Sequence, residues 1–290
     1  MSEVAAFDWY AASIDAPPQD VIASLEAAYD PSGYGLVDVK ATTPRSGYER
    51  AFSMVKGSDL LCKVQFGGVA TGSRVWACGT GDRAPAFAKA VRESFPEHRV
   101  LRLDVALDYD EEGAWDSLSA LAIHTADVHG LKVRHIGDYH RCEDGRSLYI
   151  GSRSSAACQR LYEKGKQQGL DASPTWVRQE LELKPQTDIA RLAYSTATPE
   201  ECYQATKWTR YVWETLFGPT LAVRPAPAGS IRKLSDDDRA LAFMFRQYGG
   251  VLRRKLEALG GDVQVFSDFV LQGILEASTG SSGSDEGAGS

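Results

Sequence analysis

The stretch VLRLDVALD, residues 100–108, decides the fold class, because its apolar and charged residues alternate one by one. Such alternation predicts a β-strand with one face against a core. The apolar face comprises Leu101, Leu103, Val105 and Leu107. Asp104 and Asp108 lie four residues apart and therefore share the other face. Two carboxylates on one face are suitable ligands for Mg²⁺ or Mn²⁺, which prefer oxygen donors; a strand that merely faces solvent is the alternative.

Outward from this strand, the sequence alternates between strand and helix patterns for about 185 residues and is helical afterwards. Further strands are predicted at 7–14, 48–55, 60–66, 74–78, 131–136, 147–150, 158–162 and 176–183. Helices are predicted at 19–29, 85–95, 115–128, 188–194, 199–217 and 236–259, with a short strand and a helix within 261–277. This order predicts an α+β fold: a largely antiparallel sheet with helices packed on it, followed by a helical C-terminal region.

Composition shifts divide the chain into three parts. We predict a first domain at residues 1–200, which contains the candidate site, and a helical C-terminal region at 201–277. A linker rich in Pro, Ala and Gly occupies residues 218–229. The Gly- and Ser-rich tail at 278–290 is predicted to be disordered.

The charge of the chain is unevenly distributed. The formal net charge is −7, which alone argues against nucleic-acid binding. Residues 1–50 carry three basic and eight acidic side chains, whereas residues 207–255 carry ten basic and four acidic ones. Because phosphate binding depends on where the cations lie, the basic segment is a candidate DNA contact that includes Arg253, Arg254 and Lys255.

Other features of the composition point to a cytoplasmic protein. No apolar run reaches the roughly 18 residues of a membrane span, and no secretory signal opens the chain. The five cysteines form no CxxC pair, which disfavours structural zinc and a disulfide framework. We therefore expect reduced thiols, no membrane partner and a cytoplasmic location.

A second stretch, GRSLYIGSRSS at residues 145–155, presents a tyrosine between two cations. Tyr149 alternates with Leu148 and Ile150, so it lies on the opposite strand face, with Arg146 and Arg153 on either side in sequence. A tyrosine hydroxyl attacks a phosphodiester when one cation lowers its pKa and another neutralises the phosphate. A half-buried packing role is the alternative for Tyr149.

Two further stretches add carboxylates and cations: LYEKG at residues 161–165 and WVRQELELK at residues 176–184. Glu180 is a candidate to complete a metal site with Asp104 and Glu163. Cross-strand ion pairing with an arginine is the alternative role for Glu180. Tyr162, next to Glu163 in sequence, is a second candidate nucleophile.

Together, in this order and spacing, RLDVALD (102–108), GRSLYIGSRSS, LYEKG and WVRQELELK resemble the replication initiation factor family. This family includes initiators of rolling-circle plasmids and of certain filamentous phages, and nickases of some conjugative elements. The resemblance covers residues 100–185. It implies a fold similar to that of HUH endonucleases, with the nicking site in residues 1–200. DNA contacts in residues 201–277 are expected from the basic segment, because no motif beyond about residue 200 matches the family.

The resemblance also implies a chemistry. A tyrosine, by motif position Tyr149, would cut one strand at the replication origin, leaving a 5′-phosphotyrosine and a 3′-OH primer. Mg²⁺ or Mn²⁺ would be held by Asp104 and Glu180, with Glu163 as a third candidate. The residues that would contact DNA or balance its charge are Arg146, Arg153, Lys164 and Arg178. Since the sequence contains no GxxxxGK[ST] phosphate loop, a host helicase and polymerase are implied partners.

Three other functions remain open at this stage. A conjugative relaxase would use the same residues and the same chemistry on a transfer origin. A non-catalytic DNA-binding protein of the same fold would need no reactive tyrosine. A metal-dependent hydrolase of a small phosphate ester would use water as its nucleophile and would release a free product.

Overall fold

The computed structural model describes residues 5–69, 71–169, 173–218 and 236–279. The chain divides into two compact units, residues 1–230 and residues 231–290. Among the described residues, no helix combines the length and the apolar character needed to cross a membrane.

A ten-stranded antiparallel sheet forms the first unit and confirms the predicted fold class. Its strands are β1 Ala6–Ile14, β2 Asp38–Thr42, β3 Arg50–Lys56, β4 Asp59–Phe66, β5 Val75–Thr80, β6 Arg99–Asp110, β7 Val133–Gly137, β8 Arg146–Ile150, β9 Ala157–Glu163 and β10 Trp176–Leu183. They lie side by side in the order β2-β3-β4-β5-β1-β6-β10-β9-β8-β7.

The sheet consists of two halves with the same connectivity. In each half a long strand is followed by a helix and then by four strands, the last of which pairs with the first: β5 with β1, and β10 with β6. The two long strands, β1 and β6, pair antiparallel at the centre of the sheet.

Helices cover one face of this sheet. The helices of the unit are α1 Pro18–Tyr29, α2 Ala84–Ser94, α3 Ala114–His129, α4 Lys164–Gln168, α5 Asp188–Ala193, α6 Pro199–Cys202 and α7 Lys207–Phe217. Helices α1, α2, α3 and α7 contribute residues such as Leu25, Phe87, Trp115 and Val212 to the core. We call the opposite face of the sheet, which carries polar and charged side chains, the open face.

Strand β6 has the predicted alternation with one local change. Leu103, Val105 and Leu107 are buried in the core, as expected. Val100 rather than Leu101 extends this apolar row, because Ala11 pairs with Arg102 and Ala12 with Val100, which leaves Leu101 as an extra residue. A bulge of this kind shifts the alternation by one residue.

The second unit contains two helices, α8 Asp236–Ala258 and α9 Val263–Thr279. The ammonium group of Lys255 lies 4.5 Å from the ring centroid of Phe269, so the two helices contact each other. The predicted short strand within 261–277 is wrong. Helix α9 starts there because the Asp262 carboxylate accepts the backbone N–H groups of Gln264 and Val265, which caps the helix.

The predicted helix at 199–217 is also wrong as a single element. Helix α6 is followed by a 3₁₀ turn at Tyr203–Ala205, and α7 begins after Thr206, whose hydroxyl accepts the N–H of Thr209. The exposed edge strand β2 and the short helix α4 were not predicted. The linker residues 219–229 and the tail residues 280–290 lie outside the described residues.

A prediction concerns Gly79 on β5, where helix α2 approaches the sheet. A Cβ atom at this position would lie 2.4 Å from the Cβ of Phe87, whose side chain is fully buried. We expect Gly79→Ala to destabilise the protein by about 1–3 kcal/mol through overpacking. Thermal or urea unfolding measures the change.

Gly249→Ala is the matched control, since Gly249 lies in α8 and a Cβ there meets nothing within 4 Å. It should leave stability unchanged or raise it slightly. Equal unfolding midpoints for wild type and Gly79→Ala would contradict the close packing of α2 on β5.

Candidate active site on the open face of the sheet

Four adjacent strands, β6, β10, β9 and β8, bring the candidate residues together on the open face. Asp104 pairs across strands with Glu182, and Arg160 lies between Glu180 on one side and Tyr149 on the other. Their side chains surround a cavity of about 70 Å³. It is lined by Arg102, Asp104, Tyr149, Arg153, Cys158, Arg160, Glu180 and Glu182.

Asp104 is buried and forms a bidentate ion pair with Arg102. The Nε and Nη2 groups of Arg102 donate to its two carboxylate oxygens at 2.9 Å and 2.6 Å. The same Nη2 lies 2.9 Å from a carboxylate oxygen of Glu182. Burial raises the pKa of Asp104 to about 6, against the opposing effect of Arg102.

Glu180 lies next to Tyr162 and is also largely buried. The Tyr162 hydroxyl donates to Glu180 Oε1 at 2.6 Å, and Arg160 Nη1 lies 3.8 Å from Glu180 Oε2. Burial raises the pKa of the Glu180 carboxyl. Burial raises the pKa of Tyr162 far above its usual range, and the Glu180 charge adds to this. Tyr162 is thus held as a neutral hydrogen-bond donor.

Tyr149 lies in a different environment. It is half-buried, and its hydroxyl has no hydrogen-bond partner among the described residues. The guanidinium groups of Arg153 and Arg160 lie 5.7 Å and 5.8 Å from its ring centroid. The ring of Tyr149 therefore lies beside two cations, and a substrate would displace no hydrogen bond of its hydroxyl to the described residues.

Glu163 lies on the opposite face of the sheet from Asp104 and Glu180. Its carboxylate accepts the N–H groups of Arg146, from backbone and guanidinium, at 2.8–3.1 Å, and Lys166 lies 3.0 Å away. The Arg146 guanidinium lies 4.5 Å from the ring centroid of Trp115 on α3. The structure thus pairs Glu163 and Arg146 with each other on the helix side and does not bring them into the cavity.

Arg178 lies on the open face but its guanidinium is fully engaged. It is 8% exposed, donates twice to Asp108 at 2.7 Å and once to Asp8 at 2.7 Å. Arg153 is exposed at the rim of the cavity. Lys164 is half-buried beside the Tyr162 ring, 5.6 Å from its centroid.

The three C-terminal residues predicted to contact DNA, Arg253, Arg254 and Lys255, belong to the second unit. Arg253 and Arg254 are exposed on α8, and Arg253 lies 3.6 Å from Glu257 one turn later. Lys255 is partly covered by Phe269. Two of the three side chains are therefore open to a ligand of this unit.

Three charged residues of the cavity were not predicted from the sequence: Arg102, Arg160 and Glu182. Arg160 lies 3.8 Å from the ring centroid of Tyr162, and its buried Nε has no hydrogen-bond partner among the described residues. A signal existed, since residues 158, 160 and 162 alternate with the apolar face of β9. Strand pairing, which the sequence does not reveal, was needed to place Arg160 beside Tyr149.

The carboxylates of the cavity are chemically suited to bind a divalent cation, but they do not form an open coordination site. Asp104, Glu180 and Glu182 offer hard oxygen ligands around one cavity, and the raised pKa values of Asp104 and Glu180 indicate that burial leaves their charges poorly compensated. In the described part of the chain, no three His, Cys, Asp or Glu residues are grouped so that they could hold a metal ion. Arg102 occupies both oxygens of Asp104 and would have to move aside.

One prediction separates structural from DNA-binding cations. Arg178→Ala should lower the free energy of unfolding by about 2–4 kcal/mol, because Asp108 and Asp8 lose their buried partner. Arg153→Ala removes an exposed cation and should change stability by less than about 0.5 kcal/mol. Chemical unfolding of both variants is the measurement; similar stability of the two would contradict the structural role of Arg178.

A second prediction concerns the pH dependence of stability. Because the folded protein binds the Asp104 proton more tightly than the unfolded chain does, Asp104 makes the fold less stable as the pH rises from about 4 to about 6. Asparagine does not titrate, so the melting temperature of Asp104→Asn, measured relative to wild type, should rise as the pH increases from about 4 to about 6. Asp116→Asn, which changes an exposed carboxyl, is the control. Parallel curves for wild type and Asp104→Asn would contradict the raised pKa.

Comparisons with known proteins agree with this architecture. The family model described as "Replication initiation factor" matches residues 98–207, which include β6, β8, β9 and β10. No curated protein matches the sequence of the chain.

The fold is similar to that of the rolling circle replication initiator protein from Geobacillus stearothermophilus. The TM-score is 0.51 and the sequence identity 16%, and the match covers 76% of this chain and 98% of that chain. At this identity the likeness establishes the fold. The resemblance of the chain to the replication initiation factor family, in sequence over residues 98–207 and in the fold of the sheet, is thereby confirmed.

Proposed function

We propose that this protein is a rolling-circle replication initiator that nicks one DNA strand at an origin with Tyr149. The observation that carries the proposal is the half-buried Tyr149, with Arg153 and Arg160 beside its ring and no hydrogen-bond partner for its hydroxyl among the described residues, at the cavity that Asp104 and Glu180 also line. The family match over residues 98–207 supports the same function.

The proposed step is an in-line displacement at phosphorus. The Tyr149 hydroxyl gives up its proton to solvent, and its oxygen forms a bond to the phosphorus while the bond from phosphorus to the 3′ oxygen breaks. The leaving 3′ oxygen takes up a proton, which gives a 3′-OH primer and a 5′-phosphotyrosine. Because one phosphodiester replaces another, the later joining step needs no ATP.

Arg160 and Arg153 would stabilise this step. The half-buried guanidinium of Arg160 and the exposed guanidinium of Arg153 are cations beside Tyr149 that can balance the negative charge as it develops. Mg²⁺ or Mn²⁺, held by Asp104 and Glu180, would polarise the scissile phosphate when bound. Glu163 and Arg146 would instead stabilise the strand end that carries Tyr149, since they pair on the helix side.

Tyr149 is preferred to Tyr162 as the nucleophile for a physical reason. Tyr162 is 3% exposed and donates its proton to Glu180, so the formation of its anion beside a carboxylate would be unfavourable. Tyr149 has no such partner and lies beside two cations.

The proposed partners follow from this chemistry. The substrate would be origin DNA in single-stranded or hairpin form, with Arg253, Arg254 and Lys255 as further phosphate contacts of the second unit. A host helicase and polymerase would extend the 3′-OH. A conjugative relaxase would perform the same reaction, and the DNA that is cut distinguishes the two.

Covalent trapping tests the proposal. Purified protein is incubated with Mn²⁺ and oligonucleotides tiled across its own replicon, and adducts are detected on denaturing gels. We expect wild type and Tyr162→Phe to form a protein–DNA adduct, and Tyr149→Phe or added chelator to abolish it.

Tyr162→Phe is a matched control because it removes one hydroxyl from the same face of the neighbouring strand. Loss of the adduct in Tyr162→Phe alone would keep the function and move the nucleophile. DNA binding without an adduct, on all oligonucleotides and on a supercoiled origin plasmid, would overturn nicking in favour of a non-catalytic DNA-binding protein.

A further inference from the structure

The first half of the sheet carries a second cavity on the open face, which the proposed nicking reaction does not use. Its volume is about 540 Å³, within the range of small-ligand sites. Strands β1, β3, β4 and β5, the end of β2 and the loop after it line the cavity. By the repeated connectivity of the sheet, this cavity lies on strands that correspond to those of the candidate active site.

The residues of this cavity differ in kind from those of the candidate active site. Among the described residues that line it, Lys63 and Arg45 are cations and none is Asp or Glu, although residues 1–50 are acidic overall. Lys63 is exposed and forms no ion pair within the described part of the chain. The cavity thus offers positive charge without a tyrosine or a metal-binding carboxylate, which suits binding of an anion.

Two tryptophans accompany these cations. Trp76 lies on β5 and Trp9 on β1, both half-buried and both lining the cavity. Aromatic side chains beside cations are the combination that binds single-stranded DNA, because bases stack on the rings and phosphates meet the cations.

The wall of the cavity is held in place by a hydrogen bond and by close packing of two loops. The loop after β2 is tied to β4 by the N–H of Arg45, which donates to Gln65 Oε1 at 2.8 Å. A second loop packs closely against it, since a Cβ at Gly68 would lie 2.2 Å from the carbonyl oxygen of Gly47. Ser46, which lines the cavity, has a φ of 57°, a strained value for a residue other than glycine.

One row of paired residues on the open face connects the strands of this cavity with those of the candidate active site. Lys63, Cys78, Ala11 and Arg102 form one cross-strand row over four neighbouring strands. Cys78 and Ala11 in the middle are small, and at the end of the row the Arg102 guanidinium lies 4.5 Å from the Trp9 ring centroid. Three strand spacings separate Lys63 from Arg102, about 14 Å, a length that a few nucleotides span.

We propose that this cavity, with Trp76, Trp9, Lys63 and Arg45, binds a nucleotide of single-stranded DNA that continues from the strand held at the candidate active site. The inference deepens the proposed function and rests on it for the identity of the strand. The first half of the sheet would therefore guide the DNA strand, and the second half would cut it.

Fluorescence anisotropy of a labelled oligothymidylate, about 20 nucleotides long, tests the inference. The measurement is made in the Tyr149→Phe background, so that nicking does not contribute. We expect Trp76→Ala and Lys63→Glu each to weaken binding by about tenfold. Lys63→Glu changes an exposed residue and keeps the test valid if Trp76→Ala unfolds.

Lys56→Glu is the matched control, because Lys56 is an exposed lysine at the end of β3 that does not line the cavity and the charge change is the same as in Lys63→Glu. Its affinity should stay within about twofold of the parent. Unchanged affinity in Lys63→Glu and in folded Trp76→Ala, or no binding of oligothymidylate by the parent, would overturn the inference. Oligothymidylate binding that depends on these residues, in a protein that forms no covalent adduct, would instead overturn nicking and leave the cavity assignment in place.

Discussion

The antiparallel pairing of β1 with β6 is the interaction on which the rest of the structure depends. It joins two half-sheets of five strands into one surface, and it leaves that surface with a helix-covered face and an open face. Because one face packs against the core, the alternation of the strands places most of their charged side chains on the other face, with the Glu163–Arg146 pair as an exception on the helix side. The candidate active site and the second cavity therefore share one face, because both halves of the sheet cover the same core.

The open face of the second half combines groups that would be costly to bury one by one. Two arginines accompany the three carboxylates Asp104, Glu180 and Glu182 there: Arg102 pairs with Asp104 on its own strand and with Glu182 across strands, and Arg160 lies opposite Glu180. These contacts also distinguish the two tyrosines. Tyr162 donates a hydrogen bond to Glu180 and is thereby fixed in place, whereas the Tyr149 hydroxyl, on a ring beside Arg160, has no hydrogen-bond partner among the described residues.

Much of the sheet followed from the sequence, because alternation is a local signal. Eight of the predicted strands besides β6 match observed strands closely, whereas β2 escaped prediction because it is an exposed edge strand without an apolar face. The bulge at Leu101 depends on pairing with β1, which no local pattern contains.

The residues of the candidate active site were predicted less completely from the sequence than the strands were. Tyr149, Asp104 and Glu180 do meet around one cavity, but Glu163 does not. Since neighbours in a strand point to opposite faces, Glu163 cannot share a face with Tyr162, and parity along β9 already contained that information. Burial of Arg178 between two carboxylates, in contrast, required the register of β10 on β6 and the position of Asp8.

The central position of β1 has a consequence for how the chain folds. As the chain leaves the ribosome, residues 6–14 find their first partner in β5, but their second partner ends only at Asp110. Strand β6 in turn waits for β10, which begins at Trp176. Such long separations between partners make folding slow. Until β6 has been synthesised, β1 is an unpaired edge strand of the first half-sheet. During this interval, pairing with a second nascent chain competes with the native pairing.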